Sequence, residues 1–140
     1  MCGIIGINSI KPVSATIINS LKKLEYRGYD SAGIATLSRG LINEVKSEGR
    51  VDNLEKNSLV QNMEGTIGIG HVRWATHGVP NVLNAHPHSS DKVSVVHNGI
   101  IENSDEIKKE LEKKGLQFKS QTDTEVITLL ITEALKENEP

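Results

Sequence analysis

Apolar residues along this 140-residue chain change their spacing several times, and each change marks an element. From Cys2 to Asn8 they form a short run punctuated by glycine, which predicts a buried strand. Pro12 suits the first turn of a helix. Val13, Ile17, Leu21 and Leu24 then recur at helical spacing and give one apolar face down to about Tyr26. Ala32 to Ser38 reads as a strand, Arg39-Gly40 as a turn, and Leu41 to Ser47 as the returning strand of a hairpin. Val51 to Asn62 carries a weaker helical pattern. Thr66 to Val72 alternates glycine with β-branched residues, as in a strand with close neighbours.

The periodicity stops at Arg73 and does not resume until Asp91. A loop this long inside a compact chain usually carries function. Lys92 to His97 reads as a further strand. Asn103-x-x-Glu106 and Thr122-x-x-Glu125 both have the form of a capping box. The first predicts a helix ending at Gly115, and the second a helix running through Ile127, Leu130 and Leu135. Strands come first and mixed helices and strands follow, so the fold class is α+β with antiparallel hairpins, not a doubly wound parallel sheet.

The bulk properties narrow the function classes. The length corresponds to about one domain. The net charge of −2 and the lack of a basic face argue against nucleic acid as a partner. A single cysteine excludes an internal disulfide and fits a reducing cytoplasm. No long apolar stretch is present, so neither a membrane span nor a signal peptide is expected.

That lone cysteine stands at position two. Once Met1 is removed, Cys2 carries a thiol and a free α-amino group on one residue. An α-amino group titrates near ~7.7–8.0 and can act as the base that activates the thiol. The bland alternative is a small buried residue opening a core strand. Four polar clusters accompany it, each at the end of a predicted element: Tyr26 to Gly33, His71 to Gly78, Val96 to Asn103, and Thr122 to Glu125. Each also has an ordinary reading. Asn98-Gly99 can be a hairpin turn, Asp123 a charge in a first helical turn, Arg73 a surface charge, and Trp74 core. Gly68-Ile69-Gly70 is half of a dinucleotide fingerprint, but Arg73 occupies the place of the third glycine. His86-Pro87-His88 with His77 or His71 is a minority candidate for a metal site, since neither a His-Glu-x-x-His motif nor a cysteine pair supports it.

Taken together, these segments resemble the class II (N-terminal-nucleophile) glutamine amidotransferases. Cys2-Gly3-Ile4 is the general start of that class. Within it, the chain is most similar to the glutamine–fructose-6-phosphate aminotransferase branch. The matching strings are Glu25 to Gly33, Arg73-Trp74-Ala75-Thr76-His77-Gly78, Asn84 to His88, His97 to Asn103, and Thr122-Asp123-Thr124-Glu125-Val126-Ile127. The likeness runs from Cys2 to about Leu135 and is weakest from Leu41 to Glu64.

The resemblance implies the four-layer αββα sandwich of N-terminal-nucleophile hydrolases, with two antiparallel sheets. It implies hydrolysis of glutamine to glutamate and ammonia, the ammonia-supplying half of glucosamine 6-phosphate synthesis and so of amino-sugar and UDP-N-acetylglucosamine supply. Cys2 would attack the carboxamide, with the Asn98 side chain and the Gly99 backbone N–H holding the oxyanion. Arg73 would grip the glutamine α-carboxylate as a planar fork and Asp123 the α-ammonium. Trp74, Thr76 and His77 would line the same site, and Arg27 would lie near the nucleophile. No cofactor and no metal are implied. The glutaminase domain of this branch continues past residue 140, so the chain is expected to be its N-terminal part, incomplete at the C-terminus. The sugar isomerase domains that bind fructose 6-phosphate would be missing. Strand edges left open in this way would favour self-association. Two alternatives accompany this expectation: an inactive fragment acting as a binding or association module, and a histidine metal-binding module.

Overall fold

The opening apolar run forms strand β1 (Gly3–Asn8), and the helical pattern after it forms α1 (Ser14–Leu24), continued by a single 3₁₀ turn over Glu25–Arg27. The structure is a computed structural model and describes residues 1–75 and 78–138. Pro12 precedes the helix instead of entering its first turn, because Val13 is the N-cap. The hairpin follows as β2 (Ser31–Ser38) and β3 (Leu41–Glu48). Its turn has positive φ at both Arg39 (52°) and Gly40 (78°), the two-residue form whose twist matches that of the strands. The next helical pattern is split in two, α2 (Val51–Glu55) and α3 (Ser58–Gln61). Asn57 divides them: its backbone is extended and its side chain accepts from the Leu59 N–H as a new N-cap.

Strand β4 (Ile67–Arg73) completes a four-stranded antiparallel sheet in the order β1-β4-β2-β3. The glycines of β4 decide how α1 docks. A Cβ on Gly70 would lie 2.5 Å from Ile17 Cγ2, and one on Gly68 would lie 2.7 Å from Ile17 Cδ1. Without them the helix settles onto the strand. Val13, Ile17, Ile18 and Leu21 then form one aliphatic core with Ala32, Ile34, Val45, Val51, Leu54 and Val72.

A second, two-stranded sheet lies across the other face, with β5 (His88–Ser89) paired to β6 (Ser94–Val95). The predicted strand over Lys92 to His97 is thus paired only at its centre. The long aperiodic segment is not a surface loop throughout, because residues 84 to 88 are buried between the sheets. There a Cβ on Gly33 would meet the His86 carbonyl oxygen at 1.9 Å, so only glycine lets β2 and this segment touch.

Helices α4 (Ser104–Lys113) and α5 (Thr124–Glu137) form the outer layer, with α5 packed on β5 and β6. The stop at Gly115 is a Schellman turn: Leu116 N–H donates to the Leu111 carbonyl and Gly115 N–H to that of Glu112. Neither capping box forms among the described residues. Asn103 makes no side-chain cap, and Glu125 turns instead to the Lys119 and Ser120 amides. The order of layers is helices, four-stranded sheet, two-stranded sheet, helices, an α+β sandwich with antiparallel sheets.

Candidate active site

Cys2 stands just before β1, where the sheet meets the end of β4. Its Sγ accepts from the Trp74 N–H at 3.3 Å and reaches the Trp74 carbonyl at 3.6 Å. Its carbonyl accepts twice, from Arg27 Nε at 2.9 Å and from the Asn98 side-chain amide at 3.1 Å. Residues far apart in sequence therefore converge on one residue for separate reasons. Arg27 arrives on the 3₁₀ turn after α1, Trp74 on the exit of β4, and Asn98 on the segment after β6.

A cavity of about 390 Å³ opens beside the sulfur. It is lined by Cys2, Arg73, Trp74, Asn98, Gly99 and Asp123, which are all among the predicted site residues, and also by His86 and His97. Thr76 and His77 lie outside the described residues. Arg73 is buried, and its guanidinium donates to the carbonyls of Val79 (3.4 Å) and Gly78 (3.5 Å). Asp123 precedes α5, and its carboxylate accepts from the Ile101 N–H at 2.7 Å. This bond ties the start of α5 to the Asn98 segment. Met1 also lines the cavity and is exposed.

The wall behind Cys2 is braced by the first polar cluster. The Asp30 carboxylate accepts from the Ala75 N–H, and Ser31 Oγ donates to it at 2.9 Å. A Cβ on Gly28 would lie 2.5 Å from the Arg73 carbonyl carbon, so the chain passes directly against the strand end. Tyr29 meets Trp74 edge-on, with ring centroids 6.2 Å apart, and Arg50 lies 5.0 Å over the Tyr29 ring. Asp30 and Tyr29 belong to a cluster singled out by sequence, but nothing in their spacing pointed to the bracing role.

Among the described residues, His71, His86 and His88 do not gather as ligands. His71 and His86 stack face to face at 4.1 Å, and His86 meets His88 edge-on at 4.8 Å. In a stack of this kind the rings present faces to one another and not lone pairs. Among the described residues no group of three or more His, Cys, Asp or Glu side chains is arranged to hold a metal ion. Burial, aided by the Arg73 charge, pushes His71 down to about 4 against a pull upward from the His97 carbonyl. Burial and the nearby Lys46, Arg73 and His71 push His88 to about 3, and burial with His71 and His88 lowers His86 further still. All three imidazoles are neutral near pH 7.

A family model described as a glutamine amidotransferase domain matches residues 55–137. The chain is 53% identical over 135 residues to the glutamine–fructose-6-phosphate aminotransferase (isomerizing) of Bradyrhizobium diazoefficiens, which covers 96% of this chain and 22% of that protein. It is 56% identical over 138 residues to the enzyme of the same name from Pyrococcus horikoshii, covering 97% of this chain and 23% of that protein. The chain thus spans under a quarter of the length of these curated relatives. Among solved structures, the glutamine phosphoribosylpyrophosphate amidotransferase of B. subtilis superposes with a TM-score of 0.79 at 28% identity, over 94% of this chain and 29% of that one. The sandwich and the sequence match agree: this chain belongs to the glutamine amidotransferase domain family.

Proposed function

We propose that this chain hydrolyses glutamine to glutamate and ammonia with Cys2 as nucleophile, as the glutaminase part of a glutamine–fructose-6-phosphate aminotransferase. The observation that carries the reading is the convergence on one cavity of a lone thiol, a buried guanidinium and a carboxylate. An α-amino acid with a polar tail offers complementary groups to all three. Arg73 takes the α-carboxylate and Asp123 the α-ammonium, which leaves the carboxamide facing Cys2. Trp74 lines the same cavity, and this reading assigns Thr76 and His77 contacts to glutamine.

In this reading Met1 is removed, and the freed Cys2 amine opens onto the cavity that Met1 lines. The amine takes the thiol proton as sulfur attacks the carboxamide carbon. The Asn98 amide and the Gly99 N–H hold the oxyanion, a donor pair in which one member typically contributes about 3–4 kcal/mol. The C–N bond then breaks, the proton passes to the leaving nitrogen, and ammonia departs from a γ-glutamyl thioester. Water cleaves the thioester to glutamate and restores the thiol. Arg27 fixes the Cys2 backbone through its carbonyl and does not touch the reacting atoms.

The wider reading is that ammonia serves amino transfer to fructose 6-phosphate, which would bind to isomerase domains beyond this glutaminase part. The support is the relatives' shared name and the excess of their length over this chain's. A cytoplasmic location suits a cysteine that must remain a thiol, and no helix among the described residues is long and apolar enough to cross a membrane. Self-association is supported by the outward-facing Leu130, Ile131 and Leu135 of α5.

The deciding experiment is labelling with an electrophilic glutamine analogue, read as a mass shift located by peptide mapping. One adduct on Cys2, absent from Cys2→Ala and blocked by excess glutamine, is expected. Equal labelling of Cys2→Ala would reject the assignment.

A further inference from the structure

The segment bearing Asn98 and Gly99 has almost no regular structure of its own. It is exposed and stands between the two-residue strand β6 and helix α4. A donor pair on such a segment must be held from elsewhere, since a misplacement of 1 Å can cost about a hundredfold in rate. The holding point is His97. Its carbonyl accepts from His71 Nε2 at 3.2 Å, and its N–H donates to His86 Nδ1 at 3.4 Å. Its own ring bonds Thr124 Oγ1 through Nδ1 at 3.2 Å. A Cβ on Gly99 would lie 2.9 Å from His97 Nε2, so the ring also forms the floor beneath Gly99.

The two imidazoles that grip the His97 backbone are the stacked pair, with ring planes 13° apart. Stacking fixes each ring's orientation and so fixes where the two polar atoms point. The bonding pattern also fixes the tautomers. His86 Nδ1 must be bare to accept, and His71 Nε2 must carry hydrogen to donate. His71 Nδ1 is then a bare, buried atom without a partner among the described residues. A second proton there would have no acceptor among them. It would also face the charge of Arg73 at the end of β4, with His97 beside it, while a second proton on His86 would face Arg73, Lys46 of β3 and His88. The pair is therefore built to operate neutral.

The geometry points to His71 and His86 as positioning residues for glutamine hydrolysis. They act as a stacked clamp that locks His97 from both sides and thereby sets Asn98 and Gly99 in the wall of the cavity they share with Cys2. This role rests on the glutaminase reading for its purpose but not for its existence, because the clamp can be observed in the fold itself.

The test uses the full chain and two pairs of variants. His86→Phe and His71→Phe keep a ring in the stack but remove the polar atom. His86→Asn and His71→Gln restore a polar atom near the lost nitrogen. Phe variants should lose roughly 10–100-fold in kcat with KM for glutamine little changed, because the grips on the two ends of the amino acid are untouched. The Asn and Gln variants should recover most of that loss. In parallel, amide hydrogen exchange at His97 to Gly99 should quicken about tenfold or more in the Phe variants. Unchanged exchange and kcat in folded Phe variants, or Asn and Gln variants as impaired as Phe, would overturn the clamp. If the Phe variants do not fold, the unaltered protein decides: a His97 amide exchanging as fast as an open loop overturns the clamp, and a protected one supports it. If Cys2 takes up no analogue while the exchange arm holds, the hydrolysis reading has failed and the clamp has not.

Discussion

The two halves of the sandwich bury opposite kinds of side chain. Beneath α1 the core is aliphatic: Ile17, Leu21, Ile34 and Leu54 are wholly shielded from solvent. Beneath α5 it is polar. The inward face of that helix is mainly Thr124, Thr128 and Thr132 at helical spacing, with Glu125 and Val126 beside them, while Leu130, Ile131 and Leu135 are 40–46% exposed. The hydroxyls are inside because their partners are there. Thr128 donates to the His88 carbonyl at 3.0 Å, Thr122 meets His88 Nε2 at 2.7 Å, and Thr132 meets Ser90 at 2.7 Å. A buried polar group with a partner is tolerated, and without one it costs about 1–3 kcal/mol. The aliphatic half supplies the rigid wall carrying Cys2. The polar half supplies Asn98, Gly99 and Asp123 to the same cavity, while Arg73 comes from the end of β4.

The contrast can be broken by substitution, most severely in the aliphatic half. Ile17→Ala leaves a hole between α1 and the glycines of β4 and should cost about 2–5 kcal/mol, read from the urea midpoint at pH 7. A loss below about 1 kcal/mol would mean that the helix collapses into the gap and that the fit over Gly68 and Gly70 is loose.

The polar half should fail in acid. The folded value of His71, about 4, lies below its ordinary 6.5, so the unfolded chain binds the proton first as pH falls. The stability this group contributes is complete above about pH 6.5 and is lost on the way down to about pH 4, roughly 3 kcal/mol for that one imidazole. Comparing urea midpoints at pH 7 and 4.5 for the unaltered chain and for His71→Gln isolates it from titrating carboxylates. The variant should be visibly less acid-sensitive, and an identical pH slope would contradict the assignment.

A smaller effect tests the hydroxyl network. Thr128→Val keeps the shape but removes the hydroxyl's bond to the His88 carbonyl, and should cost about 0.5–1.5 kcal/mol, where an aliphatic helix face would have gained from the change. The smallest effect is expected on the outer face of α5. Leu130→Ser should shift monomer stability by no more than about 0.5 kcal/mol in dilute thermal melts. A loss that grows with protein concentration would instead reveal this face as an interface between copies.

How far the sequence could be read follows the same divide. In the aliphatic half the periods of two and 3.6 were sufficient. They located β1, α1, the Arg39-Gly40 hairpin and β4, because there apolar spacing and burial coincide. They missed the break at Asn57, where a side-chain cap competes with a weak helical pattern. In the polar half, periodicity assigned the apolar residues of α5 to a helix but carried no sign that threonines would face inward. It also read two capping boxes that do not form, since Asn103 makes no side-chain cap and Glu125 serves the Lys119 and Ser120 amides.

The chain's order of residues was enough to determine most of its strands and helices, its family, and the types of side chain that gather around Cys2. Those depend on local spacing and on strings of neighbours. Tertiary structure alone decided that His71 and His86 stack, that residues 84 to 88 fill the space between the sheets, and that Arg27 and Asn98 meet on one carbonyl. Each of these joins groups that lie 15 or more residues apart or depends on which face is covered, and such contacts are settled by packing, which leaves no period in the sequence.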